Sequence, residues 1–231
     1  TSQATNATPD SLTWEVMSNN NVKVGTLEIG NINLVTGNSA SKETVTGLDM
    51  ATTYTVTQDN KFDAYGITWD KFSNINAGIA NDIFKYVGGA ADYKLKGANS
   101  ILAKGIVVSN IDEITTAGNA NDRLINDTGA VVNWQIAGDN QVSTNGIVAS
   151  GIHKISGGAG DKAITVVGKD DDIVISGNKV FTTSGITWSG VDNLDSGVGT
   201  DTITGPAVGS EYTVSGNNKV TTNGISVDGV D

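Results

Sequence analysis

Three consecutive acids, Asp170, Asp171 and Asp172, and the stretch SGVGTDTIT at 196–204 come closest to residue types and spacings that could do chemistry. The stretch follows a calcium-binding nonapeptide pattern, Gly-Gly-x-Gly-x-Asp-x-apolar-x. Gly197, Gly199, Asp201 and Ile203 fit it, and Ser196 stands for the first glycine. Calcium needs several oxygen ligands, and carboxylates supply them. Asp201, Asp170 and Asp172 are therefore the candidate calcium ligands, and calcium is the one cofactor that any residues here suggest. The opposing reading is a glycine-rich corner next to a solvated turn. In the second likeness, GGAGDKAIT at 157–165, Lys162 holds the ligand position and Asp161 comes one residue early. The acid triplet lacks both the alternate-residue spacing and the closing Glu of an EF-hand loop.

Trp69 and Trp188 recur at one position of a repeat described below, as a stacking platform for a sugar ring would require. They are the candidate ligand-binding residues, set against a core reading, because Ile29, Val108, Ala149 and Val227 take the same position elsewhere. His153 is the only histidine, so neither a catalytic triad nor a histidine metal site can be assembled, and it is expected to face water. A carbohydrate-cleaving solenoid would need Asp, Arg or Lys gathered on one outer face. Arg123 is the sole arginine and the acids are spread around corners, so the expectation is no enzyme.

Charge narrows the partners. With 14 Lys and Arg against 25 Asp and Glu the net charge is -11, which repels nucleic acid and anionic membrane surfaces. No apolar run is long enough to insert in a membrane. Glycine is abundant, at 29 of 231 residues, proline is rare at 2, and cysteine is lacking. With many Val, Ile and Thr in short alternating runs, this composition reads as strands joined by frequent turns.

The elements that position these residues come from an internal repeat. YTVSGNNKVTTNGISVDGVD at 212–231 restates IVISGNKVFTTSGITWSGVD at 173–192. Repeats open at Trp14, Tyr54, Tyr93, Trp134, Ile173 and Tyr212, at spacings of 39–41 residues, and the last is incomplete. Two residues after each opening residue the chain is again apolar (Val16, Val56, Leu95, Ile136, Ile175, Val214), so both face inward at period two. A turn rich in Asn and Asp follows, then an apolar residue such as Phe62 or Phe181, then a bend at Gly66, Gly105, Gly146, Gly185 or Gly224. Further inward columns start at Ile67, Ile106, Ile147, Ile186 and Ile225. In the variable second half an Asp precedes a short strand, as at Asp82, Asp122, Asp161 and Asp201.

Residues 1–13 read as a polar N-terminal segment and 14–231 as a single all-β repeat domain. The preferred fold is a β-solenoid, a right-handed parallel β-helix in which each repeat makes two coils of about 20 residues. The alternative is a six-bladed β-propeller. The solenoid is preferred because the last repeat stops short and the N-terminal segment supplies no evident strand to close a ring.

VSGNNKVTTNGI, TTSGITWSGVDNL and GGAGDKAITV resemble the degenerate repeats of large exported bacterial surface proteins, of the filamentous haemagglutinin-like and repetitive adhesin type. The resemblance implies a secreted or cell-surface location. It also implies a structural or adhesive role as a rod-like shaft, with neighbouring repeats of a longer parent chain as partners. The alternatives are a module binding a glycan or a cell-surface protein, and a subunit of an extracellular filament or surface layer.

Overall fold

The computed structural model describes residues 2–40, 42–157, 163–166, 170–206 and 208–230, and among these every regular element is a β-strand. The chain forms two compact units, Thr1–Ala91 with Lys96–Ala117, and Asp92–Leu95 with Gly118–Asp231. Each is a β-solenoid, with stacked coils wound between two sheets. The propeller alternative falls: successive coils pair in parallel along continuing sheets.

The winding differs from coils of about 20 residues stacked in sequence order. In one sheet of the first unit the spatial order is Leu34–Thr36, Ile67–Asp70, Lys61–Ala64, Thr53–Gln58, Ile83–Tyr86. After 34–36 the chain crosses to the other sheet for Thr44–Thr46 and returns three strand positions ahead as Thr53–Gln58. It then folds back through two further strands that fill the gap. Val56 faces Phe62 and Phe62 faces Trp69 in antiparallel pairs, and Trp69 lands parallel beside Val35. The second unit repeats the device in both sheets. One runs Ile147–Ser150, Gln141–Thr144, Asn133–Gly138, Ala163–Val166, and the other Lys154–Ser156, Ile186–Ser189, Val180–Thr183, Asp172–Gly177, Thr202–Thr204.

The reversal has a local cause. At the glycine read as a bend, two consecutive residues have positive φ: Tyr65 56° and Gly66 72°, Asn145 48° and Gly146 80°, Ser184 49° and Gly185 73°. That pair of signs defines a type I′ turn, whose twist matches two antiparallel strands and whose preferred residues include Asn-Gly. A β-helix corner deflects the chain; this turn sends it back alongside itself. Ala64 therefore pairs with Ile67, and Thr183 with Ile186.

The apolar columns point into the space between the sheets. Trp14, Tyr54, Tyr93, Trp134 and Ile173 are all buried. Trp69 lies stacked on Phe62 with ring centroids 6.1 Å apart, and Trp188 on Phe181 at 6.0 Å. Phe72 meets Trp69 edge-on at 5.2 Å, and Trp134 meets Trp188 edge-on at 6.1 Å. Such pairs add about 0.5–1.5 kcal/mol beyond the area they bury.

Residues 3–5 behave as part of the repeat. Gln3–Thr5 is a strand paired in parallel with Leu34–Thr36. Asn6 accepts from the backbone N–H and hydroxyl of Thr8 and donates to the Asp10 carbonyl, as Asn126 does with Thr128 and Ala130. The segment thus begins with the short-strand half of a repeat, hidden in the sequence by its small residues.

Candidate functional site

The most distinctive chemistry in the fold is a set of buried carboxylates at the corner before four of the short strands. Glu43, Asp82, Asp122 and Asp201 are all 0% exposed. They precede Thr44–Thr46, Ile83–Tyr86, Arg123–Asn126 and Thr202–Thr204. A buried carboxylate is costly unless hydrogen bonds compensate it. Here the donors come from an adjacent coil or from the corner itself. Asp82 Oδ1 accepts the Thr52 N–H at 2.9 Å, Asp201 Oδ1 accepts the Asp171 N–H at 2.8 Å, and Asp122 Oδ2 accepts the Asn119 N–H at 2.9 Å. Glu43 is the most fully solvated by protein: Trp14 Nε1 and the N–H of Leu12 donate to Oε2, and Asn6 Nδ2 and the N–H of Asn38 donate to Oε1.

The backbones of Glu43, Asp82 and Asp122 continue the ladder. The Asp82 carbonyl accepts from the N–H groups of Asp112 and Glu113, and the Asp122 carbonyl from those of His153 and Lys154. The Asp82 N–H donates to Asp112 Oδ2 at 2.9 Å. Asp82 Oδ2 and Asp201 Oδ2 have no hydrogen-bond partner. Burial pushes the Asp82 carboxyl up to about 6, against the Thr52 N–H, which lowers it; the charges of Asp112 and Asp49 raise it further.

A second set of contacts links the meanders. Asn20, Asn60 and Asn140 have φ of 60°, 58° and 55° at the first turn, and their N–H groups donate to the carbonyls of Tyr65, Lys104 and Ser184 in the type I′ turn of the following meander. The Asn20 amide donates to Gly66 O at 2.8 Å, and the Asn60 amide to Gly105 O at 2.9 Å. The approach is close: a Cβ at Gly66 would lie 2.7 Å from Asn20 Oδ1. Lys179 occupies the same turn position: its N–H likewise donates to the Asn223 carbonyl at 2.8 Å, while its side chain forms an ion pair with Asp192.

Comparison with known protein families, with characterised proteins and with solved structures returned no match. The geometry alone carries the reading of these residues.

The sequence-predicted site residues are dispersed among these roles. Asp201 belongs to the buried carboxylate set, while Asp170 and Asp172 are exposed. Asp170 Oδ1 accepts the Thr200 N–H at 2.8 Å, and Asp172 Oδ1 accepts the Thr202 hydroxyl at 2.6 Å. All three carboxylates hold the adjacent coil, and no cluster of three or more His, Cys, Asp or Glu able to hold a metal ion is found among the described residues. Asp161 and Lys162 lie outside the described residues. Trp69 and Trp188 are both 0% exposed, so neither ring offers a face to a sugar. His153 is half-buried, with Nδ1 3.0 Å from the Gly151 carbonyl. Arg123 is engaged by Asp92 through two bonds of 3.0 and 2.8 Å, which hold the Asp92 carboxyl below the usual carboxylate range.

Sequence reasoning noticed the Asp before the short strands at 82, 122, 161 and 201 and did not single out Glu43. The signal was there: Glu43, Asp82 and Asp122 stand 39 and 40 residues apart, in step with the repeat.

Proposed function

We propose that this chain is a structural segment of an exported bacterial surface protein, a spacer whose work is mechanical. The observation that carries the reading is where the chemistry-bearing side chains are spent. The buried acids, the turn asparagines and the Asp170–Asp172 triplet bond one coil to another or brace the corners between coils. The resemblance of the repeats to those of large exported adhesins supports the surface location, and the parent chain's neighbouring repeats are the natural partners. Any adhesive or toxic activity belongs to other parts of such a parent.

Single-molecule pulling tests this reading. A spacer built of repeats is expected to unfold in successive force peaks, each releasing about 140 Å of contour, the extended length of a ~40-residue repeat. Unfolding in one low-force event would count against a load-bearing role. So would a specific glycan or protein ligand that binds the isolated chain.

A further inference from the structure

Among the described residues three lysines have a left-handed backbone: Lys71, Lys104 and Lys179, with φ of 66°, 52° and 52°. That conformation strains every residue except Gly and, to a lesser degree, Asn and Asp, and strained residues gather where ligands are held. Two of the three answer a carboxylate. Lys104 Nζ lies 2.7 Å from Asp59 Oδ1, and Lys179 pairs with Asp192. Lys71 has no ion pair among the described residues. The repeat shows how unusual its placement is. At the position it occupies stand Asn31, Asn110, Gly151, Gly190 and Gly229 in the other repeats, all with positive φ, so only Lys71 is neither Asn nor Gly.

Lys71 lines a cavity of about 500 Å³ together with Ser39, Lys42, Asp59, Asn60 and Ser73. Lys42 is a second departure from the repeat, because the residue before the buried acid is Asn81, Asn121 or Thr200 elsewhere. It too has no ion pair among the described residues. Ser73 is a third, since Asp112 and Asp192 hold its position in two other repeats. Around one cavity, in a chain of net charge -11, two cations are gained and a carboxylate is avoided. The acids beside it are already answered. Asp59 has Lys104, and Glu43, next to Lys42, is 0% exposed and bonded by Trp14, Leu12, Asn6 and Asn38.

We infer that this cavity takes an oxyanion, a sulfate or phosphate group, either free or carried as an ester on a sugar. The ammonium groups of Lys42 and Lys71 supply the charge, and the hydroxyls of Ser39 and Ser73 supply neutral donors. The volume lies within the range of small-molecule sites, about 300–1,000 Å³, so the group's carrier has room. Strain at Lys71 is then the cost of placing a cation where the repeat would put Asn or Gly. The inference goes beyond the spacer reading, which needs no ligand.

NMR titration of the isotope-labelled chain tests this, with sodium sulfate or sodium phosphate added while chloride holds the ionic strength constant. Saturable amide shifts should appear at Ser39, Ala40, Lys42, Lys71 and Ser73. Lys71→Asn and Lys42→Asn each restore a residue that other repeats carry, so the fold is kept. Each should weaken binding at least about tenfold. Lys85→Asn, at an exposed lysine outside the cavity, should leave it unchanged. Without anion, Lys71→Asn should melt at a higher temperature than the parent, because the backbone strain is relieved. Glucose sulfate and glucose phosphate esters separate the two sources. Tighter binding than the free ion assigns the site to the ester, which supports this inference and counts against the spacer reading; binding no tighter assigns it to the free ion. Shifts that never saturate overturn the inference, as does an anion response unchanged in Lys71→Asn. So does unsubstituted glucose binding as well as its esters, or a lower melting temperature for Lys71→Asn, which would give the lysine to the fold.

Discussion

Asp82 shows what a single residue contributes and what it costs. Its carboxylate is buried, faces the like charges of Asp112 and Asp49, and has one oxygen without a partner. The folded chain therefore holds a proton on Asp82 up to about pH 6, whereas the unfolded chain releases it near 3.8. Between those values the native state binds more protons than the unfolded state, so this residue makes stability fall as pH rises, and its contribution levels off above about 6. Chemical denaturation from pH 4 to 8 should show this fall in the parent and a flatter profile in Asp82→Asn, where the charge is gone. An unchanged slope would mean that the carboxylate is not desolvated in solution. The burial of Asp82 was not legible in the sequence, because an Asp before a strand reads equally well as a solvated turn. Only the coil stacked beyond it removes the water.

At the scale of the element, the three-stranded meander depends on its type I′ turn. Gly185 has φ 73°, and a Cβ there would lie 2.6 Å from Asn140 Oδ1. Gly185→Ala should cost about 1–2 kcal/mol for the left-handed backbone alone, with the displaced asparagine adding to it. Thermal unfolding would register the loss, and Gly177→Ala, where a Cβ would meet only Val180 at 3.8 Å, is the control. The inward columns and their alternation were legible because period two reports which face is buried. The hairpin was also written in the sequence, as Asn-Gly at 145–146 and 223–224 between alternating runs. Reading it as a bend gave parallel coils where the chain doubles back. Trp69 and Trp188 follow the same logic: each sits seven residues after a Phe, at Phe62 and Phe181, and the antiparallel turn brings each pair face to face. Where that partner is smaller, as with Val142, the opposite position shrinks to Ala149.

For the whole molecule, local stability should follow strand pairing, since a coil is held chiefly by its neighbours. Amide hydrogen exchange should be slowest in strands paired on both sides, such as Ile83–Tyr86 and Lys154–Ser156. It should be fastest at exposed loop residues such as Ile79. Uniform protection along the chain would contradict this gradient. Fold class was legible at this scale because a repeat multiplies a weak pattern six times. The sheet order was not, since it depends on how far each crossing carries the chain, a quantity no single repeat spells out.

That crossing distance sets the order in which surfaces can be completed while the chain is being delivered. Thr53–Gln58 arrives three positions beyond Leu34–Thr36 and leaves two vacant slots behind it, which the next dozen residues occupy. A chain halted near residue 60 lacks the two strands that lie between Val35 and Val56, both fully buried in the finished fold. Winding by overshoot and backfill means that the seam of a coil is completed by residues that come later in the chain than the strand lying beyond it.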